Sequence, residues 1–137
     1  MSSTHVDFPA SRAIDGIYDK VNGCGFNIIH SAEGQSENWL RVDFAEWKHV
    51  GIIEVYNRIN SINSLEVKQR LSNTELYVFG ATPDENRQMC YIIEDGGHNH
   101  FKRICKEPLF GKGVELYQPP NGQVRKLNLC EVVVYGK

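Results

Sequence analysis

Apolar residues recur along the chain in short segments of alternating or continuous hydrophobicity, at 40–44, 50–56, 75–79, 89–93, 100–104, 113–117, 124–129 and 131–135. A period of two, with enrichment in Val, Ile, Tyr and Phe, suits the pleated and half-buried surface of a strand. Between the segments lie Asp95-Gly96-Gly97, Pro119-Pro120-Asn121-Gly122, Thr82-Pro83-Asp84 and the polar run 57–64, all of them turn or loop chemistry. About eight short strands at this spacing predict an all-β protein, a sandwich or a barrel of antiparallel strands. No amphipathic helix of ordinary length competes with them, and no repeat or low-complexity tract interrupts. Region 11–36, rich in Gly, Asn and Ser, reads as long ordered loop, the place on such a scaffold where function usually sits.

With 137 residues the chain is sized for one domain, 1–137, around a single core. Its 15 basic and 17 acidic side chains nearly balance, so there is no field to gather nucleic acid or anionic lipid. No apolar run approaches the roughly 18 residues of a membrane span. Nucleic-acid and membrane-inserting partners are therefore not expected. The start, Met1-Ser2-Ser3-Thr4, is polar and no secretory apolar region follows it.

Cys24, Cys90, Cys105 and Cys130 form no CxxC, which argues against a zinc ribbon or a thioredoxin-like site. An even number of cysteines favours two disulfides in an extracellular domain over four buried thiols, with three pairings open. GxSxG, HExxH, P-loop and GxGxxG patterns are all absent, so no enzyme is expected. His98 and His100 are spaced to share a strand face as metal ligands, but their Gly-Gly neighbours favour an exposed hairpin end. His49 reads as surface. His30, in the loop-rich region before a small polar stretch, is the histidine read as a ligand candidate.

Ala13-Ile14-Asp15-Gly16, His30-Ser31, Trp39-Leu40-Arg41-Val42-Asp43-Phe44, Val55-Tyr56-Asn57-Arg58, Arg70-Leu71 and Leu127-Asn128-Leu129-Cys130-Glu131-Val132 follow one another in an order that covers most of the chain. In this the chain resembles the F-type lectins, or fucolectins. The Trp-x-Arg-Val-Asp and Ala-Ile-Asp-Gly elements are shared with discoidin-type domains. The closing Leu-Cys-Glu-Val, the Cys90 and Cys105 pair and the His-to-Arg spacing narrow the likeness to F-type. The resemblance implies a jelly-roll-like β-sandwich of the wider galactose-binding-like group, with long loops at one end. It also implies a first strand that is mostly missing ahead of Ser2-Ser3-Thr4.

The resemblance further implies a secreted lectin that binds terminal fucose, or a related sugar, on glycans. The family's site pattern is His, then Arg-x-Asp-x4-Arg or Lys. His30 and Arg58 fill the first two places. Asn60 stands at the Asp position, and the next Arg comes only after a longer loop, as Arg70. Asn60 accepts a hydrogen bond from Arg58 without the charge-assisted component an Asp would add. Rigid guanidinium forks and an imidazole suit a neutral deoxyhexose with its axial hydroxyl and ring oxygen. Arg70, at the far end of an enlarged loop, is expected to reach the sugar only if 61–69 folds back over it.

A structural calcium is implied as well. Asp15 and Glu131 match the side-chain ligands, Arg12, Ile17 and Cys130 the backbone carbonyls, and Asn27 or a neighbour a further oxygen. Such an oxygen set suits a hard cation. The implied disulfides are Cys90 with Cys105 and Cys24 with Cys130. Monosaccharide affinity is expected between about millimolar and micromolar, so biological strength calls for homo-oligomers or tandem modules. The alternative from another class is a discoidin-like protein-interaction or adhesion module, with a degenerate sugar site and 61–69 as its partner loop. A glycosidase is not expected, because no carboxylate pair in a loop cleft stands out.

Overall fold

In a computed structural model of the chain, the described residues are all but 2, 4–8, 19–23, 26–27, 33, 60–63 and 137. They form strands β1 (Ile29–His30), β2 (Asn38–Tyr56), β3 (Thr74–Phe79), β4 (Gln88–Ile93), β5 (His100–Gln118), β6 (Asn128–Leu129) and β7 (Glu131–Tyr135). A 3₁₀ helix at Ala10–Ile14 and one short α-helix, α1 (Ser64–Gln69), complete the regular structure. All strand pairs are antiparallel: β1 joins β6, and a five-stranded sheet runs β4-β3-β5-β2-β7.

The predicted segments 40–44 and 50–56 are one 19-residue strand, and 100–104 and 113–117 are another. What the sequence displays as breaks are irregularities in the ladder. Register slips between Asp43 and Lys48 on β2, where Gly113 and Gly111 are the partners. It slips again between Val50 and Ile52, opposite Leu109 and Ile104. Pro108 lies in the second irregularity, where the amide hydrogen it lacks is not needed by the ladder. The segment 124–129 contracts to the two residues of β6.

Both long strands bend at these bulges. Their outer portions pair with β3 on one side (Val114 opposite Val78) and with β7 on the other (Val55 opposite Val132). The two halves close on one core that holds Leu40, Leu76, Val78, Val114 and Leu116 together with Ile53, Val55, Phe101, Leu129 and Val132. The result is an all-β sandwich built from the five-stranded sheet and the β1/β6 pair. Gly113 is a necessity of this closure: a Cβ there would stand 2.3 Å from Phe79 Cζ and 2.7 Å from the Val42 carbonyl. Among the described residues no helix is long and apolar enough to cross a membrane.

Candidate functional site

One end of the sandwich gathers the ends of β2, the start of β5 and the β1/β6 pair. His30 stands opposite Asn128 in that pair. The ladder is extended by Ser31 N–H to the Leu127 carbonyl at 2.9 Å, with the Ser31 hydroxyl accepting from Leu127 N–H at 3.0 Å. Cys130 N–H donates to the Tyr56 carbonyl at 2.8 Å, which joins this pair to β2 two residues before Arg58.

His30 is 6% exposed, and its Nδ1 lies 2.5 Å from the Ser31 carbonyl. A carbonyl accepts and cannot donate, so Nδ1 carries the hydrogen. In the neutral ring Nε2 is then an acceptor. An imidazole in this tautomer suits a hydroxyl that donates to it.

Arg58 is set by its neighbour. The buried Asn57 accepts from Arg58 N–H at 2.8 Å, and its amide nitrogen approaches the carbonyls of Gly96, Lys68 and His98 at 2.9–3.1 Å. This one side chain ties the start of the loop to the end of α1 and to the 95–98 turn. Gly96 fits there because a Cβ would lie 2.6 Å from Ser72 N. Asn57 is a positioning residue that the sequence reading passed over as generic loop.

Arg70 does not hang from a long excursion. The enlarged loop contains α1, and Arg70 follows it in the turn that leads to β3. Its carbonyl accepts from Gln118 Nε2 at 2.8 Å; Gln118 is fully buried and bridges to Asn38 and Thr74 as well. Burial and then the charge of Arg70 hold the Arg58 pKa below its ordinary value, and the Asn57 side chain, on the Lys68 carbonyl, ties the two segments together. Asn60, placed between them by sequence, lies outside the described residues.

The two carboxylates assigned to calcium also meet. Asp15 follows the 3₁₀ helix and caps Ile17 N–H at 3.0 Å, while Gly16, at φ 78°, turns its N–H onto Glu131 Oε1 at 3.1 Å. Glu131 is 4% exposed, and its Oε2 is buried with no hydrogen-bond partner. Burial, with the Asp15 charge adding to it, pushes the Glu131 carboxyl up to about 7. A buried carboxylate oxygen beside a second carboxylate is a fitting place for a hard cation. Among the described residues no three His, Cys, Asp or Glu side chains cluster as metal ligands, so the remaining oxygens would come from carbonyls such as those of Arg12, Ile17 and Cys130. Asn27 lies outside the described residues.

Cys24 pairs with Cys130 and Cys90 with Cys105, with no free cysteine. The first bond fastens the loop ahead of β1 to the strand that bears Glu131. Another cluster went unread in the sequence. On the outer face of β2, Glu54 (1% exposed) receives Tyr135 OH at 2.8 Å and lies 2.5 Å from His100 Nε2, while Tyr18 stacks on Tyr56 with centroids 4.0 Å apart. His100 is thus half-buried in a polar network around the buried Glu54, whereas His98 and His49 are exposed as expected. The signal was in the register: Glu54, Tyr56, His100 and Tyr135 alternate on one face of neighbouring strands.

No protein-family model and no curated protein matches the chain. Solved structures do match it. A fucose-binding module of Streptococcus pneumoniae, SpX-3, is similar at TM-score 0.78 and 26% identity, covering 99% of this chain and 90% of that one. The fucolectin from striped bass (Morone saxatilis) serum is similar at TM-score 0.80 and 25% identity; the match covers 98% of this chain but 45% of the fish lectin chain. The lectin domain of lectinolysin, solved with Lewis B antigen, is similar at TM-score 0.77 and 25% identity, covering 99% of this chain and 89% of that one. The strand order, the closing Leu-Cys-Glu-Val strand and these likenesses agree: the chain has the F-type lectin fold, one of the discoidin-like β-sandwiches.

Proposed function

We propose that this domain is a carbohydrate-binding lectin that holds the terminal fucose of a glycan between His30, Arg58 and Arg70, with no chemistry performed on it. The observation that supports the reading is a fold shared with fucose-binding modules, at one end of which the buried His30 pairs beside Asn128 while Cys130 N–H ties that pair to β2 two residues before Arg58. A hydroxyl that donates to His30 Nε2 and accepts from an arginine is matched on both sides, and the remaining arginine donors suit the ring oxygen and a second hydroxyl. Calcium belongs to the same reading: bound by Asp15 and Glu131, it would neutralise that pair and brace the segment tied down by Cys24 and Cys130. The two disulfides suit an extracellular setting. A shallow single site calls for self-association or tandem copies to reach useful avidity.

A glycan array followed by titration with methyl fucoside tests this. Fucosylated hits whose binding is lost in His30→Ala and Arg58→Ala are expected. Equal affinity in wild type and both variants would mean that any sugar binds another surface. Silence across the array would shift the weight to an adhesion module.

A further inference from the structure

Arg70 lines a recess of about 380 Å³, within the range of about 300–1,000 Å³ typical of small-molecule sites. Its walls are Glu66 and Gln69 of α1, Arg70 itself, and Gln123, Arg125 and Lys126 from the segment that leads to β6. On a chain of formal net charge −2, these walls set three cationic side chains against one carboxylate. Arg125 is immobilised by neutral groups: its guanidinium donates to the carbonyls of Pro119 at 2.8 Å and Ser72 at 2.7 Å. Those contacts hold the guanidinium in place, with the Glu75 carboxylate close enough to act on its charge. Beyond Arg70 the positive field continues into Arg58, whose pKa is lowered by burial and then by Arg70. Amide side chains from Gln123 and Asn73 supply hydrogen-bonding groups of the kind sugar hydroxyls take.

We propose that the glycan recognised here carries an acidic group, a carboxylate or a sulfate ester, on the sugar unit next to the one held by His30 and Arg58, and that this group enters the recess beside Arg70 and Lys126. The inference rests on the lectin reading and narrows it, from terminal fucose to fucose on an acidic oligosaccharide. α1 supplies one wall of the recess through Glu66 and Gln69, and the 121–126 segment closes it from the other side.

The test compares the neutral, sulfated and sialylated forms of one fucosylated oligosaccharide, with methyl fucoside as reference, by calorimetric titration at low and high salt. Wild type is expected to bind an acidic form roughly five- to tenfold tighter than the neutral one, with the advantage shrinking as salt rises. Gain with the sulfated form alone assigns a sulfate ester, and with the sialylated form alone a carboxylate; gain with both assigns the anion in general. Gln123→Glu, at an exposed position, and Lys126→Gln should each reduce the advantage below about twofold and leave methyl fucoside binding in place. Methyl fucoside bound with no preference for acid, or with a preference untouched by both variants, overturns this inference alone. Failure to bind methyl fucoside and all three oligosaccharides overturns the lectin reading with it.

Discussion

Glu131→Gln probes the proposed calcium site through stability, independently of sugar. In the metal-free protein the Glu131 carboxyl is pushed from an ordinary 4.5 to about 7. At about 1.4 kcal/mol per pH unit that is an upper bound on the order of 3 kcal/mol against the ionised form, and solvent relaxation brings it to roughly 1–3 kcal/mol. The sign follows from proton counting. Between pH 4.5 and about 7 the folded chain holds a proton that the unfolded chain has released, so stability declines as pH rises through that window and is lowest above it. A cation bound to the folded state alone supplies the missing countercharge and adds about 2.7 kcal/mol at a concentration a hundred times its Kd. For a domain of this size each kcal/mol moves Tm by roughly 3–5 °C, so saturating calcium should raise it by roughly 8–13 °C. Calorimetric melting at about pH 5 and about pH 8, in chelator and in calcium, reads every arm. Glu131→Gln, which keeps shape and removes charge, should melt at or above wild type in chelator at the higher pH. It should also lose the slope across the window and most of the calcium gain. A variant that retains the full calcium gain refutes the assignment of Glu131. A wild type that is insensitive to calcium refutes the metal altogether.

Arg58→Ala and Arg70→Ala should each weaken methyl fucoside binding by the roughly 1.5–3 kcal/mol of a charged hydrogen-bond donor, since both backbones are pinned; titration that finds Arg70→Ala neutral would place that guanidinium in the neighbouring recess alone. Nonreducing peptide mapping should recover Cys90 linked to Cys105. Replacing both by Ser should cost about 3 kcal/mol for a loop of this length, measured by denaturant unfolding, whereas a loss below about 1 kcal/mol would mean that the strand pair is held without it. Burial would raise the Glu54 carboxyl, but hydrogen bonds from His100, Tyr135 and Tyr56 outweigh it and hold its pKa below the ordinary 4.5. That contribution is present above pH 4.5 and disappears as pH falls through the lower folded value. Glu54→Gln should therefore flatten the acid limb of the stability curve; an unchanged limb would assign the acid sensitivity elsewhere.

The strands and their polarity were legible because each layer buries one face, so Leu40, Val55, Leu76, Leu116 and Val132 appear at a spacing of two within their segments. That two pairs of these segments are single bent strands was not legible. A bulge with exposed residues such as Trp47 or Glu107 looks like a turn when the partner strand is unknown. His30, Arg58, Asp15 and Glu131 were found by their place in a motif order. Asn57, Gln118 and Glu54 were not, because what makes them matter is which carbonyl or ring lies across the sheet, and that follows from pairings up to 81 residues apart, as between Tyr135 and Glu54. Lys126 and Gln123 escaped for the same reason: nothing local distinguishes a wall of a recess from an ordinary surface loop.

The pairing of β1 with β6 also dictates the order of events during synthesis. Cys24 and its partner Cys130 are 106 residues apart, so at about 5–20 residues per second the first thiol waits roughly 5–20 s for the second. Cys90 and Cys105, 15 residues apart, meet within about 1–3 s of each other at the same rate. In an oxidising compartment Cys24 therefore passes through a period in which the thiols it can meet are the wrong ones. A nascent chain halted before residue 130 should accumulate the short bridge together with mispaired Cys24 adducts, visible in a pulse-chase on nonreducing gels. The end of the sandwich that bears His30, which needs β6 beside β1, is then assembled last, after nearly the whole chain has emerged.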